Sequence, residues 1–185
     1  MRSKQHIYLF LLLSAFLFGC QNNNQLQSET SPQTALSSQT QLSGVYYLIR
    51  HAEKDRSNKE DNDPALTPIG LERAKKWQQY FDSIPLSGIY STAYKRTLQT
   101  IIPTAAAKGI NPLIYSPLDL LDDHFYRRSS QGHWLIVGHS NTIPELTNAM
   151  MRIDTLDDIP DLLNSRLYRV DYRSNPATLS LFHLE

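Results

Sequence analysis

The chain has 185 residues, which suits one domain plus a short extension. Lysine and arginine together equal aspartate and glutamate, 18 each, so no basic face for nucleic acid is implied and no nucleic-acid partner is expected. Its ten prolines and seven glycines follow no collagen-like or low-complexity period.

Arg2 and Lys4 precede an apolar run from Ile7 to Phe18. A basic start followed by an apolar stretch too short for an ordinary transmembrane helix reads as an export signal. The run ends Leu17-Phe-Gly-Cys20, and Cys20 is the only cysteine. This segment resembles the bacterial lipobox, which implies cleavage before a lipid-modified Cys20, with residues 1–19 as the signal peptide. The plainer alternative is a conventional signal with Cys20 incidental. Removal of residues 1–19 takes away Arg2 and Lys4, leaving 16 basic side chains against 18 acidic ones. Residues 20–43 are mostly Gln, Asn, Ser and Thr without apolar periodicity, and they read as a flexible tether. The folded domain is expected over 44–185.

Within it, Val45 to Arg50 reads as a buried strand and Asp55 to Ala65 as a polar loop. Thr67-Pro68 opens a helix with Thr as N-cap, continued by Leu71, Ala74, Trp77, Gln78 and Phe81 at helical spacing. Gly88 to Ser91 is a short strand. Ala93 to Lys108 is a helix with Pro103 inside it and Gly109 as its C-cap. Leu113 to Tyr115 is a third strand, Asp119 to Ser130 a weak helix, and His133 to Gly138 a fourth strand. Pro144 to Met151 is a helix with Ile143 and Leu146 facing inward. Arg166 to Tyr172 and Ala177 to His183 alternate around Ser174-Asn-Pro, as an antiparallel hairpin does. Alternating strands and helices predict a three-layer α/β/α sandwich, a mainly parallel sheet with an antiparallel edge.

Two of these strands end in histidine, at His51 and at His139. Strand ends of this kind meet at the carboxyl edge of a parallel sheet, where ligands bind. Arg50 precedes His51, and Arg96 lies near the start of the second long helix. Two imidazoles and two guanidiniums together would make an anion site that contains a nucleophile. Each has a bland alternative: a satisfied surface histidine, a turn residue, a solvated helix arginine. The histidines lack metal-ligand spacing, so no metal and no cofactor is expected.

The runs Arg50-His-Ala-Glu-Lys, Leu66-Thr-Pro-Ile-Gly-Leu-Glu-Arg-Ala, Tyr90-Ser-Thr-Ala-Tyr-Lys-Arg-Thr-Leu-Gln-Thr and Val137-Gly-His-Ser-Asn-Thr-Ile-Pro occur in this order. Together they resemble the histidine phosphatase superfamily, which includes the phosphoglycerate mutases and the SixA-type phosphohistidine phosphatases. The resemblance implies a phosphoglycerate mutase-like fold and a phosphohistidine intermediate on His51. It places Arg50, Arg96 and His139 in the phosphate pocket, with Asn141 as a further polar contact. Fixed cations around a transferring phosphoryl group stabilise its charge, and guanidinium forks suit its oxygens better than lysine.

The general acid is open at this level. Asp119, Asp122, Asp123 and Glu145 are candidates, although Asp119 to Asp123 read equally as an acidic helix start. Lys95 is expected to face solvent, and Glu53 to be a loop or structural residue. The segments Asp55 to Asp63 and Asp122 to Gln131 are expected to shape substrate choice. The resemblance implies a metal-independent phosphohydrolase acting on a phosphorylated small molecule or a phosphohistidine. It would be tethered through lipidated Cys20 to a bacterial envelope membrane, with Gln21 favouring the periplasmic side of the outer membrane. A phosphomutase, or a non-catalytic phosphate-binding or envelope-interaction lipoprotein, is the alternative.

Overall fold

The computed structural model describes residues 41–117 and 119–185. Contacts divide the chain into Met1–Leu36 and Ser37–Glu185, and the first unit lies outside the described residues. The expected signal peptide, Cys20 and most of the expected tether lie outside them too.

The strands are β1 (Val45–Arg50), β2 (Leu86–Ser91), β3 (Leu113–Ile114), β4 (His133–Gly138), β5 (Arg166–Asp171) and β6 (Thr178–His183). The helices are α1 (Pro68–Phe81), α2 (Lys95–Lys108), α3 (Asp123–Arg128) and α4 (Thr142–Met151). One sheet runs in the order β3-β2-β4-β1-β5-β6. Its β2–β3, β2–β4 and β1–β4 pairs are parallel. The β1–β5 and β5–β6 pairs are antiparallel. This is the mainly parallel sheet with an antiparallel edge that the alternation of elements predicts.

The period of two along β1 sends its side chains to opposite faces. Val45, Tyr47 and Ile49 pack with Trp77 and Phe81 of α1 and with Ile101 and Ala105 of α2. Tyr46 and Leu48 pack with Phe125 of α3 and with Ile143 and Met150 of α4. Helices thus cover both faces, and every residue of β1 is buried. That explains why its sequence is a continuous apolar run.

Thr67 caps α1, its hydroxyl accepting from Gly70 N at 3.1 Å, and Pro68 occupies the first turn. The buried stripe of α1 is Gly70, Ala74, Trp77 and Phe81, so its phase begins one residue earlier than Leu71, which is 44% exposed. Gly70 sets that phase by meeting the Glu53 backbone, where a Cβ would lie 2.2 Å from the Glu53 carbonyl oxygen. Helix α2 starts at Lys95 rather than Ala93, because Tyr94 keeps an extended backbone as its N-cap. It runs through Pro103 and ends on Gly109 at φ 64°, a left-handed conformation that favours glycine.

Two further expectations change. The helix foreseen from Asp119 to Ser130 is only the six residues of α3, because Asp119 and Asp122 take part in turns with Ser116 and Leu120 before it. Leu42, assigned from the sequence to the tether, is buried in the core, and Ser43 N donates to Ser130 O at 2.7 Å.

Candidate active site

Strands β1 and β4 run parallel with Arg50 opposite Gly138. The residues that follow those two positions are His51 and His139, so register alone sets the imidazoles side by side at one sheet edge. The ladder continues one step further, with His51 N donating to Gly138 O at 3.0 Å. The ring centroids are 5.7 Å apart and inclined at 64°.

His51 is 3% exposed. Its Nδ1 lies 2.7 Å from the Ala52 carbonyl oxygen. A carbonyl can only accept, so Nδ1 carries the hydrogen and Nε2 keeps the lone pair of a nucleophile. The surrounding backbone is held by side chains: Thr100 Oγ1 accepts from Ala52 N at 2.9 Å, and Asn164 Nδ2 donates to His51 O at 2.8 Å. Burial holds the His51 pKa down to about 3, and the Arg50 and Arg96 charges add to that lowering. Burial, then Arg96 and Arg50, likewise hold His139 at about 4. Both rings are therefore neutral near pH 7 and able to accept.

Arg96 enters from the first turn of α2. Its guanidinium carbon lies 4.2 Å from the Tyr94 ring centroid, and its Nη2 is 3.4 Å from His139 Nδ1. Tyr94 also packs edge-on against His139, with centroids 5.0 Å apart. Asp63 approaches Arg96 Nη1 at 3.7 Å and accepts from Lys95 N at 2.8 Å, which ties the β1–α1 loop to the start of α2. The loop is anchored again where Leu66 N donates to Gln99 Oε1 at 2.7 Å. Gln99 and Thr100 thus act through the backbone around the site.

Arg50 is 2% exposed, and most of its fork is engaged. Nη1 donates to Pro160 O and to Asp161 O, both at 2.9 Å, and Nη2 donates to Asp161 Oδ1 at 2.8 Å. Arg56 holds the same Asp161 carboxylate from Nη2 at 2.8 Å and from Nε at 3.2 Å. Hydrogen bonds from Arg56 and Arg50 hold the Asp161 carboxyl down to about 2. Burial lowers the Lys54 pKa, and the Arg96, Arg56 and Arg50 charges near it act the same way. The imidazole pair is therefore ringed by cations. Among the described residues, Arg50 Nε and Arg96 Nε and Nη1 are buried without a hydrogen-bond partner, Asp63 facing Nη1 only as an ion pair at 3.7 Å. Unmatched buried donors are costly, and an anion is the group that satisfies them.

The expected acids stand elsewhere. Asp122 caps α3, accepting from Phe125 N at 2.7 Å, and Asp123 pairs with Arg127 at 3.7 Å. Asp119 lines a shallow hollow with Leu113, Ser116 and His124. Glu145 is exposed in the first turn of α4, and Asn141 is exposed at its N-cap without a side-chain capping bond. None of these carboxylates hydrogen-bonds to either imidazole, and Asp122 and Asp123 are engaged at α3. Glu53 is structural, pairing with Arg73 Nε at 2.7 Å, and Lys95 is exposed. The sequence reading missed Asp161, Thr92 and Thr97 as individual residues, whereas Arg56 and Asp63 fall inside the Asp55 to Asp63 segment expected to shape substrate choice. The two threonines carried a signal only as hydroxyls inside the Tyr90–Thr100 run.

Among families, the model of the histidine phosphatase superfamily (branch 1) matches residues 46–123, which include Arg50, His51 and Arg96. Among solved structures, a protein from Agrobacterium tumefaciens assigned as the phosphohistidine phosphatase SixA is 20% identical. The likeness spans 75% of this chain and 97% of that one, at a TM-score of 0.56. The protein histidine phosphatase SixA complexed with tungstate is 12% identical over 75% and 96% of the two chains, with a TM-score of 0.56. A mycobacterial glucosyl-3-phosphoglycerate phosphatase is 12% identical over 77% and 99%, with a TM-score of 0.57. No curated protein matches the chain in sequence.

Proposed function

We propose, from the likeness of residues 46–123 to the histidine phosphatase superfamily, that this chain is a metal-independent phosphohydrolase working through a phosphohistidine on His51. The observation that carries this reading is the set of unpartnered buried donors on Arg50 and Arg96 beside two neutral imidazoles. His51 Nε2 attacks phosphorus and the leaving group departs on the opposite side. Water then attacks the phosphohistidine and releases phosphate. The guanidinium donors of Arg96 and Arg50 Nε take up the charge spread over the phosphoryl oxygens, and the His139 ring joins them once it carries a second hydrogen.

Among the described residues no carboxyl group hydrogen-bonds to either imidazole, which favours substrates whose leaving group needs little protonation, such as a phosphohistidine, another phosphoramidate or an acyl phosphate. Asp161 is unsuited to the role, since the two arginines hold it ionised. SixA, a fold neighbour, is a protein histidine phosphatase, which agrees with that substrate class.

The test is turnover of p-nitrophenyl phosphate and of a phosphohistidine peptide in the presence of EDTA. Activity should persist in chelator and vanish in His51→Ala. Arg96→Ala should lower kcat by roughly 10²–10³-fold, as loss of one set of transition-state donors does. Turnover that EDTA abolishes, or that survives in His51→Ala, refutes the assignment.

A further inference from the structure

The hydrogen bonds on the far side of His139 determine which of its nitrogens carries the hydrogen. His139 Nε2 lies 3.1 Å from Thr92 Oγ1, and Thr92 Oγ1 lies 3.0 Å from Thr97 Oγ1. Thr97 Oγ1 is in turn 2.9 Å from the Thr92 carbonyl oxygen and 2.8 Å from the Tyr94 carbonyl oxygen. Both threonines are buried, with exposures of 1% and 0%.

A hydroxyl has one hydrogen, and a carbonyl oxygen has none. Thr97 therefore points its hydrogen at a backbone carbonyl; otherwise two carbonyl oxygens would face its lone pairs at hydrogen-bond distance. Thr97 Oγ1 is then an acceptor toward Thr92, and the Thr92 hydrogen is directed there. That leaves Thr92 Oγ1 only as an acceptor toward the ring, so Nε2 must donate. The other end of the ring agrees independently. Arg96 Nη2 approaches Nδ1 at 3.4 Å, and a guanidinium nitrogen can only donate.

We propose that Thr97 and Thr92 are positioning residues that hold neutral His139 with its hydrogen on Nε2. The Nδ1 lone pair beside Arg96 is then the one place where this ring can take up a proton. The relay's use in phosphoryl transfer rests on the function proposed above; the tautomer itself does not. In that reaction, Nδ1 can donate to a phosphoryl oxygen only once it has taken up a proton, and Nε2 stays bonded to Thr92 throughout. The arrangement also gives Thr97 a purpose that helix formation does not explain. A β-branched hydroxyl residue in a helix is a mediocre helix former, yet here its hydroxyl orients a whole chain of donors.

Long-range proton–nitrogen correlation spectra of the full-length chain, labelled with nitrogen-15 at histidine, read the tautomer directly. The His139 signals are assigned by their loss in His139→Gln. At neutral pH, Nδ1 should appear as the unprotonated nitrogen and Nε2 as the protonated one. Thr97→Val frees the Thr92 hydrogen to turn toward the ring. The unprotonated nitrogen should then become Nε2, and kcat/KM for p-nitrophenyl phosphate should fall about tenfold, the scale of one net hydrogen bond. Thr97→Ser should restore both. An unprotonated Nε2 in the unsubstituted protein overturns the proposal, even if Thr97→Val proves unable to fold. An unaltered tautomer in folded Thr97→Val overturns it as well. A chain with the expected tautomer but no phosphatase turnover keeps the relay and refutes the proposed reaction instead.

Discussion

His51 and His139 occupy a place where charge is unwelcome. Burial disfavours the imidazolium, and the neighbouring arginines repel it, so the folded protein keeps both rings neutral far below the ordinary histidine value of about 6.5. The sign of the stability effect follows. Between about pH 6.5 and 4 the unfolded chain binds protons at these positions and the folded chain does not, so stability falls as pH falls through that window. The urea midpoint should drop from pH 7 to pH 4.5 by more in the unsubstituted protein than in a double variant with glutamine at both positions. Equal drops would show that the rings titrate normally. Asp161 supplies a second test at this scale. Asn can still accept from Arg50, and the Pro160 and Asp161 carbonyls still hold Nη1, so Asp161→Asn removes a negative charge without releasing the guanidinium. Vanadate should then bind a few-fold tighter, a modest gain because the 68% exposed carboxylate is screened by solvent. Weaker binding would mean that the ionised carboxylate is needed to hold Arg50.

At the scale of elements, the contact between α1 and the β1–α1 loop deserves a direct probe. Gly70 lets the helix start reach the Glu53 carbonyl, two residues past the nucleophile. Helix propensity alone favours Gly70→Ala by about 1 kcal/mol. The built Cβ, at 2.2 Å from a backbone oxygen, cannot be relieved by a flexible side chain, and overpacking of that kind costs about 1–3 kcal/mol. The clash should win: Gly70→Ala should lower the urea midpoint and reduce kcat, because the backbone that yields is the one behind His51. A stabilised variant with full activity would show that the helix start can move freely. The same logic explains the element boundaries. Fourteen-residue α1 has an apolar stripe and a Thr67 cap, and fourteen-residue α2 buries a face of threonines with Ile101 and Ala105 and stops on Gly109. Six-residue α3 has one buried residue, Phe125, and the acidic run before it satisfies turns and a cap instead of extending it.

For the whole molecule, the sheet collects cations on one edge although net charge is zero. Clustering of one sign at a cleft attracts anionic ligands even in a neutral protein. We further propose that the chain is held at a bacterial envelope membrane by lipid on Cys20, on the strength of the apolar run that ends there. Cys20→Ser should move the protein from the membrane to the soluble fraction and leave turnover per molecule unchanged. Retention of Cys20→Ser in the membrane would exclude the lipid anchor.

What was legible in the amino-acid order was whatever short-range rules control. The apolar runs of β1 and β4, the Thr67-Pro68 start of α1 and the Gly109 stop of α2 depend on neighbours within a few residues, and so do the histidines placed just beyond two strands. The roles expected of Arg50, His51, Arg96 and His139 came instead from the family resemblance that the four quoted runs carry. Contacts between distant segments were not legible. Asp161 meets Arg50 across 111 positions of chain, and no local pattern around Pro160 announces it. Thr92 meets His139 across 47 positions, so only folding could show that a hydroxyl chain fixes the ring. The acids made the opposite error: Asp122 and Asp123 have the right chemistry for proton transfer, but the nearest unpaired amides and arginine claimed them first. Sequence alone determined which residues could do chemistry, because residue type and local period are written in it. Tertiary structure decided which of them meet, because strand register and helix packing depend on the burial of side chains that the chain brings together only once it is folded.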